Sequence, residues 1–373
     1  MKKNGLLFLM IAGIFLGIFS GWMFGKTMLV VAWIGEMFLD ALKMLVVPLI
    51  ISSMIVGIAG LGDIRKVGKT GLIALGYFMI TTCIAVGIGL VMVNIIEPGV
   101  AVEMTVEKVP EKVMGKEAVG ITDILKSFVS PNLVESMVKM EILPLIVFSL
   151  VFGAVLTTLG EPGKRAIDFF DTVNSAVMKI VHLLMYFAPI GVFCLIGKFV
   201  IADGLDIFQE AFKYVTLLIL VLFIHAFVTY SLILKMFTNL SLLTFFKKMR
   251  EVAIFAFSTS SSAATIPVTL KTVQDNLGVN KNVASFVIPV GATINMDGTA
   301  IMQGMATIFI AQMSGIDLTL IQYVQVVILA VVTSIGTAAV PSAGTITLVI
   351  ILQQFGLPLE AIGIILAVDR ILD

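Results

Sequence analysis

Charge is what this sequence has least of. Lysine, arginine, aspartate and glutamate make up 13% of its 373 residues, about half the share found in a soluble domain. Hydrophobic residues reach 59% and the mean hydropathy is +1.11, which excludes a soluble globular protein and indicates an integral membrane protein. Formal net charge is zero, so no global field draws the chain to nucleic acid or to anionic lipid. Cysteine is nearly absent. Cys83 and Cys194 lie in separate apolar runs, which excludes a disulfide framework and a zinc cluster and leaves both as packing residues. Histidine is equally scarce, and His182 and His225 stand alone in different runs, where bonding within a bundle is favoured over a proton relay. No activated nucleophile–base pair is visible, so enzyme chemistry has no foothold.

What the chain does have is a succession of apolar runs of about 20 residues, the length a helix needs to cross a bilayer. They predict an all-α polytopic bundle and argue against a barrel of short alternating strands. Leu6–Phe24 reads as an uncleaved first span with Lys2-Lys3 in the cytoplasm, and Val31–Leu61 as a second. Glu36, Asp40, Lys43 and Pro48 turn one face of the second toward protein or the interface. Further spans are predicted over Leu72–Ile96, Ile142–Leu159, Ala166–Val200, with a break at Pro189-Ile190-Gly191, and Tyr214–Met236. Arg65, Lys66 and Lys69, then Lys164 and Arg165, then Lys247, Lys248 and Arg250 all fall on the side that a cytoplasmic N-terminus requires. The polar segment from Val100 to about Met140 suits an external loop.

After Arg250 the pattern changes. Phe257–Pro267 is too polar for a lipid-facing span yet is flanked by apolar sequence, as a hairpin that enters the membrane and returns would be. Thr259-Ser260-Ser261-Ser262-Ala263-Ala264-Thr265-Ile266-Pro267 matches Thr333-Ser334-Ile335-Gly336-Thr337-Ala338-Ala339-Val340-Pro341 without a gap at the threonine, a serine, an alanine and the proline. Either segment alone would serve close helix packing. Two such segments in corresponding places point to the binding site of a transporter with internal repeats.

Between them lies Asn295-Met296-Asp297-Gly298-Thr299, a polar break in the apolar run from Phe286 to Gln312. A bare carboxylate at membrane depth costs roughly 2.5–3.5 kcal/mol, so Asp297 needs a partner or a task. Gly298 favours an unwound backbone, whose carbonyls are ligands for a small hard cation. Two plainer readings stand beside this one. The middle of a calcium loop has a similar pattern, although the leading acid is missing here, and a packed helix could simply kink with Asn295 and Asp297 bonded to neighbours. Thr81-Thr82 in the third span either back-bond to their own helix or act as ligands. Helix N-termini at two hairpin tips would hold an anion while Asp297 and freed carbonyls hold cations. Each net charge moved through the membrane adds about 2.3 kcal/mol per 100 mV, a reason to couple an acid to several cations. That is secondary transport; an ion channel with the hairpins as filter is the alternative from another class.

Taken together, Thr259–Pro267, Gly291–Thr299 and Ser334–Gly344 resemble the dicarboxylate/amino acid:cation symporter family, whose known members include sodium-coupled glutamate and aspartate transporters. The resemblance covers the chain in span order. It implies a homotrimer in the lipid bilayer of a cell (inner) membrane, with two re-entrant hairpins, an unwound penultimate span and an elevator mechanism. Residues 1–71 would be scaffold spans and 72–99 a transport-domain span. Residues 100–200 would hold the external loop and further scaffold. The transport core would occupy 201–373, with hairpin 1 at about 245–278, the broken span at about 280–313, hairpin 2 at about 318–356 and a shortened last span.

The same resemblance implies co-transported sodium. The Phe78 carbonyl, Thr81, Thr82, Asn295 and Asp297 would form one sodium site, with Met296 among the cation-binding residues. The carbonyls of Gly291 and Asn295 would contribute to a second site, and those of Thr293, Ser334, Ile335 and Thr337 to a third. The amino acid substrate would meet Ser261 and Ser262 at the first tip and Val340, Ala343 and Gly344 at the second. Thr299 would meet its side-chain carboxylate and Asp373 its amino group, with Asp369 in support. Ser260 stands where some members carry an arginine. The family continues past the position of Asp373 with an arginine that selects acidic side chains, so a piece of a longer transporter is expected, ahead of a truncated one that cannot work. Acidic amino acids are the expected substrates, ahead of neutral amino acids and C4-dicarboxylates.

Overall fold

The computed structural model describes residues 3–60, 69–100, 126, 128–139, 141–204, 206–337 and 343–372, and all regular structure among them is helical. Apolar runs have little choice in a bilayer, where each backbone N–H and C=O must bond within its own segment. The helices are α1 (Lys3–Phe24), α2 (Ala32–Ala59), α3 (Lys69–Ile96), α4 (Leu133–Lys139), α5 (Ile142–Leu156), α6 (Glu161–Asp203), α7 (Asp206–Ile224), α8 (Tyr230–Phe237), α9 (Leu242–Thr259), α10 (Ser262–Asp275), α11 (Lys281–Ile294), α12 (Asp297–Met313), α13 (Leu320–Gly336), α14 (Ala343–Phe355) and α15 (Ile362–Leu372). Four stretches, Ala12–Ala59, Gly71–Ile96, Glu161–Ile201 and Gln209–Phe237, are long and apolar enough to cross a membrane, and the protein is a multi-pass helical membrane protein. The expected basic loop at Arg65 and Lys66, most of the expected external loop, Val340 and Asp373 lie outside the described residues.

The first apolar stretch folds back on itself. Gly25, at φ +52°, lets the chain leave α1 and turn through a 3-10 segment, Gly25–Val31, into α2. Glycines then set the packing. A Cβ on Gly13, Gly17 or Gly21 would stand 2.6, 2.7 or 2.8 Å from the carbonyl oxygens of Pro189, Phe193 and Gly197. Four-residue steps on α1 thus follow four-residue steps on α6, and the two helices run parallel with their backbones in contact. Gly35 lies against Leu195 and Gly191 against Phe38, so α2 runs antiparallel to α6.

That packing overturns one expectation. No break occurs at Pro189-Ile190-Gly191, because α6 continues unbroken for 43 residues. Pro189 does remove a ladder bond, but Gly13 presses on its carbonyl and the Phe38 ring fills the groove at Gly191. The glycine serves close approach rather than unwinding.

The remaining helices gather round α12, which is buried on every side from Ala300 to Ala311, as an all-round apolar helix should be. Gly89 of α3 lies against Met305 and Gly304 of α12 against Val86, and Phe309 stacks on Tyr214 of α7 with centroids 4.7 Å apart. The pair α13/α14 packs against it, while α9 pairs with α10 and α10 packs on α11. The expected sixth span is not a plain α-helix: a π-turn, His225–Thr229, separates α7 from α8. Cys194 is buried, whereas Cys83 is exposed and does not serve as a packing residue.

Candidate functional site

The break in the seventh apolar run is narrower than the sequence implies. Only Asn295 and Met296 are non-helical, while Asp297, Gly298 and Thr299 form the first turn of α12. An acid in the first turn is stabilised by the free N–H groups and positive end of that helix, so Gly298 is not needed to unwind the chain.

Asp297 is 5% exposed and fully engaged. Its Oδ1 accepts from Thr82 Oγ1 at 2.5 Å. Its Oδ2 accepts from Tyr230 Oη at 2.5 Å and lies 2.9 Å from His225 Nε2. Thr81 Oγ1 donates to Asn295 Oδ1 at 3.1 Å. Both threonine hydroxyls also reach the Phe78 carbonyl, at 3.0 and 2.8 Å. The back-bonding read for Thr81-Thr82 is therefore present, and the same hydroxyls also touch Asn295 and Asp297. Phe78 O, Thr81 Oγ1, Thr82 Oγ1, Asn295 Oδ1 and Asp297 Oδ1 form an unbroken chain of oxygens, the donor type that hard cations take.

The first hairpin turns on its serines. Ser260 adopts the left-handed conformation at φ +46°, and Ser261 caps α10 by accepting from the Ala264 amide at 3.3 Å. Thr265 Oγ1 donates to the Ser261 carbonyl at 2.8 Å. A polar run that looked unfit for a span is thus the chemistry of a tight turn.

Between this tip and the break lies a cavity of about 540 Å³. Its lining includes Ser261, Ser262, Asn295, Met296, Asp297, Thr299, Thr337, Gly344 and Asp369, and no lysine or arginine among the described residues. Gly344 sits so close over Thr299 that a Cβ would stand 2.9 Å from its Cγ2. Asp369 is buried and accepts from Thr345 Oγ1. Ala343 is buried behind the lining. Gly291 packs on the Phe78 ring, and its carbonyl accepts the Asn295 amide at 2.9 Å. Thr293 bonds back to Val290 at 3.0 Å, and Ser334 to Val331 at 2.8 Å. Ile335 packs with Phe78, Val290 and Ile294. Of the expected third cation set, only Thr337 reaches the cavity.

Three residues escaped the sequence reading. His225, set aside as a lone histidine, and Tyr230 both bond Asp297. Gln303, fully buried, donates from Nε2 to the Gly344 carbonyl at 3.2 Å and to Thr347 Oγ1 at 2.6 Å, and accepts from Thr333 Oγ1 at 2.9 Å. A buried amide in an apolar helix has to find such partners, and that was the available signal.

The model of the sodium:dicarboxylate symporter family matches residues 6–373. The chain is 36% identical to a proton/sodium-glutamate symport protein of Geobacillus stearothermophilus over all of this chain and 90% of that one. It is 35% identical to a proton/sodium-glutamate symport protein of Bacillus subtilis over 91% of this chain and 80% of that one. It is also 33% identical to excitatory amino acid transporter 2 of Homo sapiens over all of this chain and 75% of that one.

Proposed function

The chain belongs to the sodium:dicarboxylate symporter family, and on that premise we propose that it couples sodium entry to the uptake of an acidic amino acid, glutamate or aspartate. It is a symporter and not an enzyme, with sodium ions as co-transported cargo. The observation that carries the substrate reading is the adjacency of two unlike sites at one helix break. The oxygen chain from Phe78 O to Asp297 Oδ1 suits a cation. The cavity beside it offers Ser261, Ser262, the N-terminal turn of α12 and Thr299 to carboxylates, and Asp369 toward an amino group. Cation and anion would bind next to each other, each reducing the cost of the other.

In this reading both hairpins are re-entrant and the second acts as the gate. Helices α3, α7 to α15 and the break travel as an elevator against a scaffold of α1, α2, α5 and α6, assembled as a homotrimer in a cell (inner) membrane with the N-terminus in the cytoplasm. The backbone contact of α1 with α6 supports a stiff scaffold, and the polar turn at Ser260 and Ser261 between apolar segments supports re-entrance of the first hairpin, since irregular backbone at membrane depth is tolerated only against protein or water. The absence of lysine and arginine among the described lining residues keeps a neutral amino acid as a second reading.

The test is uptake by the full chain in liposomes under an inward sodium gradient. Labelled aspartate should accumulate only with sodium, and unlabelled glutamate should compete better than serine, alanine or succinate. A conductance without concentrative uptake would favour a channel, and stronger competition by serine or alanine a neutral substrate.

A further inference from the structure

The two oxygens of Asp297 face different company. Oδ1 belongs to the oxygen chain that includes Thr82. Among the described residues, Oδ2 is held by side chains of the sixth span: Tyr230 Oη at 2.5 Å and His225 Nε2 at 2.9 Å. Tyr230 also stands 3.5 Å from Asn295 Nδ2, which donates toward its oxygen. One phenol hydroxyl therefore touches the side chains of both Asn295 and Asp297.

This arrangement depends on the π-turn. Residues five apart on an α-helix point about 140° away from each other, so His225 and Tyr230 could not both reach one carboxylate oxygen. In the structure the Tyr230 amide bonds the His225 carbonyl, five residues back, and the two rings meet edge-on with centroids 4.7 Å apart. Single π-turns inside α-helices collect at functional sites. Here the turn has an identifiable product, the second donor to Oδ2.

We propose that Tyr230 is a positioning residue of the sodium site: with His225 it clamps Oδ2 of Asp297 and thereby presents Oδ1 to the cation, while its oxygen orients the Asn295 amide so that Oδ1 of that residue faces Thr81. The inference rests on the assignment of the oxygen chain to sodium made above. Ligand carboxylates whose outer hydrogen bonds are removed lose roughly 10–100-fold in metal affinity. The clamp differs from packing because the hydroxyl alone carries it.

Tyr230→Phe keeps the ring against His225 and removes only the hydroxyl. Two quantities are read on the full chain in detergent: the rise in unfolding temperature caused by sodium chloride without substrate, and labelled aspartate binding at limiting and at saturating sodium. The expected result is a shift of the sodium midpoint to about tenfold higher concentration, with aspartate binding at saturating sodium and the sodium-free unfolding temperature unchanged. Val228→Ala, exposed in the same π-turn, should leave all of these at wild-type values. An unshifted sodium midpoint in Tyr230→Phe, with a shift only in Tyr230→Leu, would show that the ring packs and does not clamp, and overturns the proposal. Equal loss of aspartate binding at limiting and saturating sodium overturns it as well. A wild-type chain that binds aspartate without sodium would instead bring down the functional reading itself, and the clamp with it.

Discussion

Gln303 and Gly344 are tied together by a hydrogen bond of 3.2 Å from the side-chain amide of one to the carbonyl of the other. The bond joins α12, the buried centre of the molecule, to the second arm of the second hairpin at the residue that overhangs Thr299. Thr333 on the first arm donates to the same amide group at 2.9 Å. A single side chain thus fixes both arms relative to the break.

Gln303→Ala should loosen that hairpin. It removes the bonds that tie both arms to α12, at about 1–3 kcal/mol, while the Gly344 carbonyl and the Thr333 and Thr347 hydroxyls keep only their bonds within the hairpin. Aspartate affinity is expected to fall roughly tenfold, which corresponds to about 1.4 kcal/mol. Equilibrium binding at saturating sodium would measure it.

Gly344→Ala tests the overhang. The added Cβ would lie 2.9 Å from Thr299 Cγ2 and 3.1 Å from Met302 Cε. Forcing these apart costs about 1–3 kcal/mol and moves the hairpin arm off the cavity. Substrate binding should weaken, while the thermal stabilisation by sodium alone persists, because Phe78, Thr81, Thr82 and Asp297 are untouched. Calorimetric titration with aspartate and a sodium-dependent melting curve would separate the two.

Asp297→Asn is nearly isosteric yet chemically opposed to its surroundings. Both oxygens of Asp297 now accept from hydroxyls or a ring N–H, and an amide must turn a donor toward one of those sides. Sodium-dependent binding of labelled substrate should fall by more than the roughly tenfold expected on losing a single outer hydrogen bond. Sodium dependence equal to wild type would count against the assigned cation site.

Gly17→Ala addresses the scaffold. A Cβ there would sit 2.7 Å from the Phe193 carbonyl and 3.1 Å from Ile196 Cβ. Backbone on one side and a β-branched residue on the other leave little room to yield, so α1 and α6 must separate. Overpacking of this kind destabilises by about 1–3 kcal/mol, visible as a lower unfolding temperature in detergent with substrate affinity preserved in the folded fraction.

The spans and the break were legible because composition and charge are coarse signals that a bilayer enforces. Asp297 could be singled out for the same reason, as an acid where acids are costly. Its partners were another matter. Thr82 lies 215 positions away and His225 lies 72 positions away, and no period in one chain states which helix faces which. Tyr230 was hidden more deeply, since α-helical spacing places it on the wrong side of its span. Pro189 misled in the opposite direction: a breaker residue is a local signal, and close backbone packing by Gly13 and Phe38 overrode it. The hairpin serines stood out in sequence by their polarity, but their turn and capping geometry required the fold.

A π-turn accommodates one residue more than an α-turn. Closing the same residues, the exposed pair Phe227-Val228 included, as ordinary helix would swing everything after them by about 100° about the axis. Tyr230 would then face away from Asp297, and Lys235 would leave its present azimuth. The length of the sixth span, counted in single residues, is therefore part of the ion site's chemistry. A one-residue insertion taken up as ordinary helix in a segment that faces outward would reach the carboxylate as surely as a substitution beside it.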